Sequence, residues 1–141
     1  YEAHMNGPEH MVELFHGYTY SGHPLAVAAG LATLDIYKDE GLFERAKALE
    51  GKFADAMMSL RSKPNVVDIR PIGLLCGIDL EPIAGKPGVR GYDALERSYH
   101  EHDLYVRVTA DTVVVSPPLI ATESDIADIT ERVGKVIDAV A

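Results

Sequence analysis

Gly17 and Gly22, with the hydroxyl-bearing residues Tyr18, Thr19, Tyr20 and Ser21 between them, form the stretch of this chain best suited to chemistry. The glycines permit close backbone approach and positive φ, and the hydroxyls supply hydrogen-bond donors, a combination able to cradle a phosphate. Pro24 follows where a helix can begin, since the first helical position loses nothing by lacking an N–H. The same residues also read as an ordinary turn before a proline-started helix, and local chemistry alone favours that plainer reading. Farther along, Arg107 carries a planar fork that fits a carboxylate bidentately, as lysine does not. The residues alone favour a plainer reading, a strand-end arginine paired with Asp111 or Asp103, since surface ion pairs are common.

Other titratable residues point nowhere so clearly. His4, His10, His16 and His23 recur along the first part of the chain, and His100 and His102 stand close together. Zinc sites usually show tighter paired spacings, so no metal is expected. Lys38, Lys47, Lys52, Lys63, Lys86 and Lys135 all fall in helix or loop contexts that read as solvated.

The run Phe15-His16-Gly17-Tyr18-Thr19-Tyr20-Ser21-Gly22-His23-Pro24 resembles the H-G-[YF]-T-[YF]-S-G-H-P segment of the class III aminotransferases. These are pyridoxal-phosphate enzymes that include the ω-amino acid:pyruvate transaminases. The resemblance implies that Thr19, helped by the backbone N–H of Tyr18, reaches across a homodimer interface to the cofactor phosphate of the neighbouring subunit. A second match, Leu104-Tyr105-Val106-Arg107 through Thr112 and then Ser116-Pro117-Pro118-Leu119, is similar to the family's v-R-x-x-G-D-t … s-P-P-L segment. It implies that Arg107 binds the substrate carboxylate and swings aside for an amine that has none, with Tyr20 near substrate or the neighbouring subunit. Ala110 stands where that segment has glycine, which leaves the turn conformation open. A softer match runs from Val66 to Leu80, where Arg70 is assigned a structural role, Gly73 a tight connection and Gly77 a close approach or bulge.

The resemblance implies a fold as well. The expected class is α/β, more narrowly a small α+β domain: the C-terminal domain of a fold type I pyridoxal-phosphate enzyme, with a mostly antiparallel sheet packed on helices. Residues 1–23 are expected to close the large cofactor-binding domain, and 24–141 to hold a connecting helix and the small domain. The family's catalytic lysine lies upstream of the Thr19 segment and has no counterpart here. The chain therefore reads as a C-terminal fragment, inactive alone and without a catalytic residue of its own. The expected reaction moves an amino group from an amine or ω-amino acid to an α-keto acid such as pyruvate. A 4-aminobutyrate or ornithine branch is the alternative, although its loop more usually reads G-T-Y-x-G-N-P. A non-catalytic α/β interaction module is the other.

Elements to position these residues are legible in the pattern. Pro24 to about Lys38 is apolar nearly all round and predicts a buried helix. Leu42, Ala46, Leu49, Phe53, Met57 and Leu60 fall on one stripe of a second helix, ended by Lys63-Pro64-Asn65. Two strands flank Gly73, and Pro82 to Gly91 reads as a loop. A helix is expected over Tyr92–His102, with strands over Tyr105–Val108 and Thr112–Val115. Thr122 and Asp125 form a capping-box-like start for a last helix bearing Ile126, Ile129, Val133, Ile137 and Val140.

Composition narrows the partners. A formal net charge of −9 argues against nucleic acid, which needs clustered Lys and Arg. No apolar run approaches the roughly 20 residues a spanning helix needs, so no membrane partner is expected. The lone Cys76 cannot form an internal disulfide and reads as a small core residue, in keeping with a cytoplasmic location.

Overall fold

The computed structural model describes residues 2–7 and 17–141. Phe15, His16 and His10 lie outside the described residues, as do residues 1 and 8–16 of the segment expected to end the large domain. The chain divides into two compact units, Tyr1–Ile36 and Tyr37–Ala141.

The described residues of the first unit contain a 3-10 turn, Glu2–Met5, the turn at 17–23 and most of helix α1, Pro24–Asp39. Proline starts α1 as anticipated, and the His23 carbonyl accepts from the Val27 N–H at 2.9 Å. The expected burial of this helix is not met. None of its residues is buried, and Leu25 is 75% and Leu31 60% exposed. An all-round apolar pattern reports what a helix can bury; which surface covers it is a tertiary matter on which periodicity is silent.

The second unit begins with α2, Leu42–Met58, and a 3-10 turn, Ser59–Ser62. It continues through strands β1, Val66–Ile72, and β2, Leu75–Leu80, then helix α3, Val89–His102. Strands β3, Arg107–Thr109, and β4, Thr112–Val115, precede the last helix α4, Glu123–Ala139. The four strands form one sheet in the order β1-β2-β4-β3, and every neighbouring pair is antiparallel. No helix among the described residues is long and apolar enough to cross a membrane.

Alternation gives the sheet two unlike faces. Register aligns Ile69, Ile78, Val113 and Val108 across the strands on the core face. Against that face pack Phe53 and Met57 of α2, Ala94 of α3, and Val133 and Ile137 of α4. The α2 stripe behaves as read, with Leu42, Phe53, Met57 and Leu60 buried. Cys76 is a free, fully buried core residue, and burial pushes its thiol pKa up. At the start of α4 the Thr122 hydroxyl accepts from the Asp125 N–H and the Asp125 carboxylate accepts from the Thr122 N–H, the reciprocal capping box anticipated.

Three expectations are corrected. Helix α3 begins at Val89 and not at Tyr92, because a carboxylate from far along the chain caps it: Asp111 accepts from the N–H of Gly88 at 2.6 Å and of Gly91 at 3.1 Å. Strand β3 starts at Arg107 and not at Tyr105, because Asp103 ends α3 in a left-handed conformation, φ 48°, and the chain reaches β4 only at Arg107. The close approach expected at Gly77 occurs instead at Gly91, where an added Cβ would lie 2.0 Å from the Ala110 carbonyl oxygen. Gly77 has room for ordinary contacts, and the one register irregularity of β1 and β2 lies between Val66 and Asp68. Gly73, at φ 55°, does supply the tight β1–β2 connection.

Candidate functional site

Tyr18, Thr19 and Tyr20 share one turn of the first unit. The Ser21 N–H donates to the Tyr18 carbonyl at 3.0 Å and the His23 N–H to the Tyr20 carbonyl at 3.2 Å, with Gly22 at φ 76° between them. These backbone bonds close the loop without using the hydroxyls of Thr19, Tyr20 or Ser21, which make no hydrogen bond among the described residues. Gly17, Thr19, Tyr20 and Ser21 line an open hollow on this turn. An exposed concavity rimmed by hydroxyl donors and glycine backbone is chemically suited to an anion with several acceptor oxygens.

Arg107 lies in the second unit, at the first residue of the edge strand β3. It stands opposite Val114, which in turn pairs with Gly77, and Gly77 with Arg70. Paired residues share a face, so Arg70, Gly77, Val114 and Arg107 form one row across the face turned away from the core. The two arginines differ in what holds them. Arg70 grips Asp79 through two bonds, 2.5 and 2.7 Å, and Asp68 through a third of 2.8 Å, while the Thr112 hydroxyl donates to Asp79 at 2.8 Å. This is the structural role read for Arg70 from the sequence. Arg107 is exposed, and its guanidinium has no hydrogen bond or ion pair among the described residues. The alternative pairing with Asp111 does not occur, because Asp111 is engaged with Gly88 and Gly91. On this face, then, the cation available to an incoming anion among the described residues is Arg107.

The Arg70 cluster carries a pH dependence. Hydrogen bonding from Arg70 holds the Asp79 carboxyl below its ordinary value, with burial opposing and Thr112 helping. A depressed carboxylate contributes stability that is fully present above its unfolded pKa, about 3.9, and is lost as pH falls through the lower folded value. Asp79→Asn is therefore expected to flatten the acid limb of a urea-midpoint-versus-pH curve below about pH 4. Acid limbs of equal steepness in the two proteins would contradict it.

None of the lysines has the surroundings of a nucleophile. Lys38, Lys47 and Lys86 are exposed, and Lys52, Lys63 and Lys135 pair with Glu123, Asp138 and Glu131. Among the described residues no group of three or more His, Cys, Asp or Glu is placed to hold a metal ion. Sequence reasoning missed the part played by Asp111, which it treated only as a partner for Arg107. The sole local signal was Gly88 and Gly91 around a helix start with no capping side chain of its own.

The chain is 48% identical over 140 residues to an omega-aminotransferase of Caulobacter vibrioides, covering 99% of this chain and 32% of that protein. It is 37% identical over 143 residues to a beta-alanine–pyruvate aminotransferase of Pseudomonas aeruginosa, covering 100% of this chain and 32% of the relative. The chain thus spans about a third of the length of the curated relatives it matches. Among solved structures, the omega transaminase of Pseudomonas jessenii in complex with PMP superposes with a TM-score of 0.78 at 31% identity, over 90% of this chain and 29% of that one. The adenosylmethionine-8-amino-7-oxononanoate aminotransferase of Methanocaldococcus jannaschii gives 0.72 at 30% identity, over 89% of this chain and 30% of that one. The family profile described as aminotransferase class-III matches residues 2–137, from before the hydroxyl-rich turn to the last turns of α4. On its sequence, its sheet and its helices alike, this chain belongs to the class III aminotransferases.

Proposed function

We propose that this chain forms the C-terminal part of a homodimeric, pyridoxal-phosphate-dependent transaminase that moves an amino group from an amine or ω-amino acid to an α-keto acid such as pyruvate. The observation that carries the reading is the exposed, unpaired guanidinium of Arg107, standing in a row whose other arginine is neutralised by Asp68 and Asp79. A fork with no partner among the described residues can close on a carboxylate with two parallel N–H bonds and can leave when the substrate has none. The relatives' names support the substrate class, since they include omega-aminotransferase and beta-alanine–pyruvate aminotransferase.

The cofactor fits the donor set of the first unit. Pyridoxal phosphate, when bound, supplies the carbonyl carbon and electron-withdrawing ring on which amino groups are exchanged. Thr19 would hold its phosphate by donating a hydroxyl hydrogen bond, with the Tyr18 backbone N–H beside it, toward the neighbouring subunit. Charge-assisted bonds of this kind are the stronger ones. Tyr20 would border the substrate or the neighbouring subunit. Arg107 would orient the substrate by its far carboxylate, so that the amino group faces the reacting centre. The buried free Cys76 supports a reducing compartment, and we assign the protein to the cytoplasm.

The test compares this chain alone with the whole transaminase carrying it. The whole protein is expected to form alanine from pyruvate as β-alanine is consumed, and to yield one stoichiometric lysine label after incubation with pyridoxal phosphate and borohydride. This chain alone is expected to give only scattered labelling and no alanine, since a reactive lysine needs a desolvated or charge-tuned pocket that none of its lysines has. A single-lysine adduct with turnover on the isolated chain would overturn this division of labour. Faster turnover of 4-aminobutyrate than of β-alanine would move the assignment to the other branch of the family.

A further inference from the structure

Arg107 is exposed and untethered at its side chain, so the backbone of β3 alone sets where its guanidinium starts from. That strand is short and lies at the sheet edge, paired to β4 only through Arg107–Val114, Val108–Val113 and Thr109–Thr112. Its far end is the turn at Ala110 and Asp111, and this turn is pinned in four ways. The Asp111 carboxylate accepts from the Gly88 N–H at 2.6 Å and from the Gly91 N–H at 3.1 Å, and the Asp111 carbonyl accepts from the Leu80 N–H at 2.9 Å. The Ala110 carbonyl meanwhile sits so close to Gly91 that a Cβ there would come within 2.0 Å of its oxygen. Ala110 itself is left-handed, φ 50°, a conformation a residue with a Cβ keeps only where its surroundings over-determine it.

Asp111 is buried, yet it serves no ion pair among the described residues. Its two oxygens satisfy orphan donors at the start of α3, where no nearby side chain does so. We infer that Asp111 is the positioning residue for Arg107: by clamping the β3–β4 turn onto the N-terminus of α3, it fixes the angle at which β3 presents the guanidinium. The inference rests on the carboxylate-binding reading of Arg107. Geometry makes the lever plausible in size. Two steps of extended chain separate Thr109, at the turn, from Arg107, about 7 Å, so a tilt of about 8° at the turn displaces Arg107 by about 1 Å. A misplacement of about 1 Å can lower the rate by up to about 100-fold.

The experiment uses the whole homodimeric transaminase with pyruvate as acceptor and two donors of equal length, β-alanine with a carboxylate and propylamine without one. Asp111→Ala is expected to raise KM for β-alanine on the order of tenfold with kcat within about twofold, and to leave propylamine kinetics within about twofold. Asp111→Asn, which keeps one acceptor oxygen and the shape, should fall between. The deciding measurement is the double variant with Arg107→Ala. Acting through Arg107, the loss of Asp111 should remove no discrimination beyond what Arg107→Ala already removes, whereas independent effects would multiply. Should Asp111→Ala not fold, Asp111→Asn and Gly91→Ala, which displaces the turn from the helix side, take its place in the same cycle. Equal losses on both donors, or multiplying losses in the double variant, overturn the inference. If Arg107→Ala discriminates while the Asp111 variants match the parent, only the positioning role falls. If Arg107→Ala does not discriminate, the carboxylate reading falls with it.

Discussion

Replacing Arg107 by alanine in the whole transaminase is expected to reduce kcat/KM for β-alanine by roughly 10- to 150-fold, the worth of a charged hydrogen-bonded pair of about 1.5 to 3 kcal/mol. Propylamine, which offers no carboxylate, should lose little. The expectation follows from the availability of the group. Arg70 stands in the same row but is saturated by Asp79 and Asp68, and Arg45 is spent on the carbonyls of Ile120 and Ala121. Removing Arg107 thus removes the free cation of that face without breaking a hydrogen bond or ion pair among the described residues, so thermal stability should hold. Arg107→Lys keeps the charge and loses the fork, and should recover only part of the loss. Steady-state kinetics on both donors decide the matter: equal losses would show that the residue acts on something common to all substrates.

What could be read from the sequence was what local rules govern. The stripe from Leu42 to Leu60, the capping box of Thr122 and Asp125, the Gly73 connection and the role of Arg70 each follow from residues within a few positions of one another, or paired across one hairpin. What escaped depended on distant partners. The start of α3 is set by Asp111, more than a helix length away in sequence, and the steric need for glycine at position 91 arises from the carbonyl of Ala110. The exposure of α1 belongs to the same class, because its pattern defines an apolar surface and not its cover. The candidate site was legible by motif, with Thr19 and Arg107 named by their neighbours. Its supporting geometry was not, since the row joining Arg70 to Arg107 exists only once β1, β2, β4 and β3 are laid side by side.

Thr19→Ala is expected to weaken retention of pyridoxal phosphate in the proposed dimer by roughly 10- to 150-fold, again from the loss of a hydrogen bond to a charged group worth about 1.5 to 3 kcal/mol. Folding should be unaffected, because the bonds that close the loop run between backbone groups of Tyr18, Ser21, Tyr20 and His23 and do not involve the Thr19 hydroxyl. The two effects separate cleanly in one pair of measurements, the cofactor absorbance kept after dialysis and the melting temperature of the cofactor-free protein. Thr19→Ser restores a hydroxyl at the same place and should recover most of the affinity, whereas Thr19→Val keeps the shape and should not. A cofactor affinity unchanged in both Thr19→Ala and Thr19→Val would remove this turn from the phosphate site. Tight binding would then have to come from residues beyond this loop, and the hydroxyls of 18–21 would revert to the plainer reading of a solvated turn ahead of a proline-started helix.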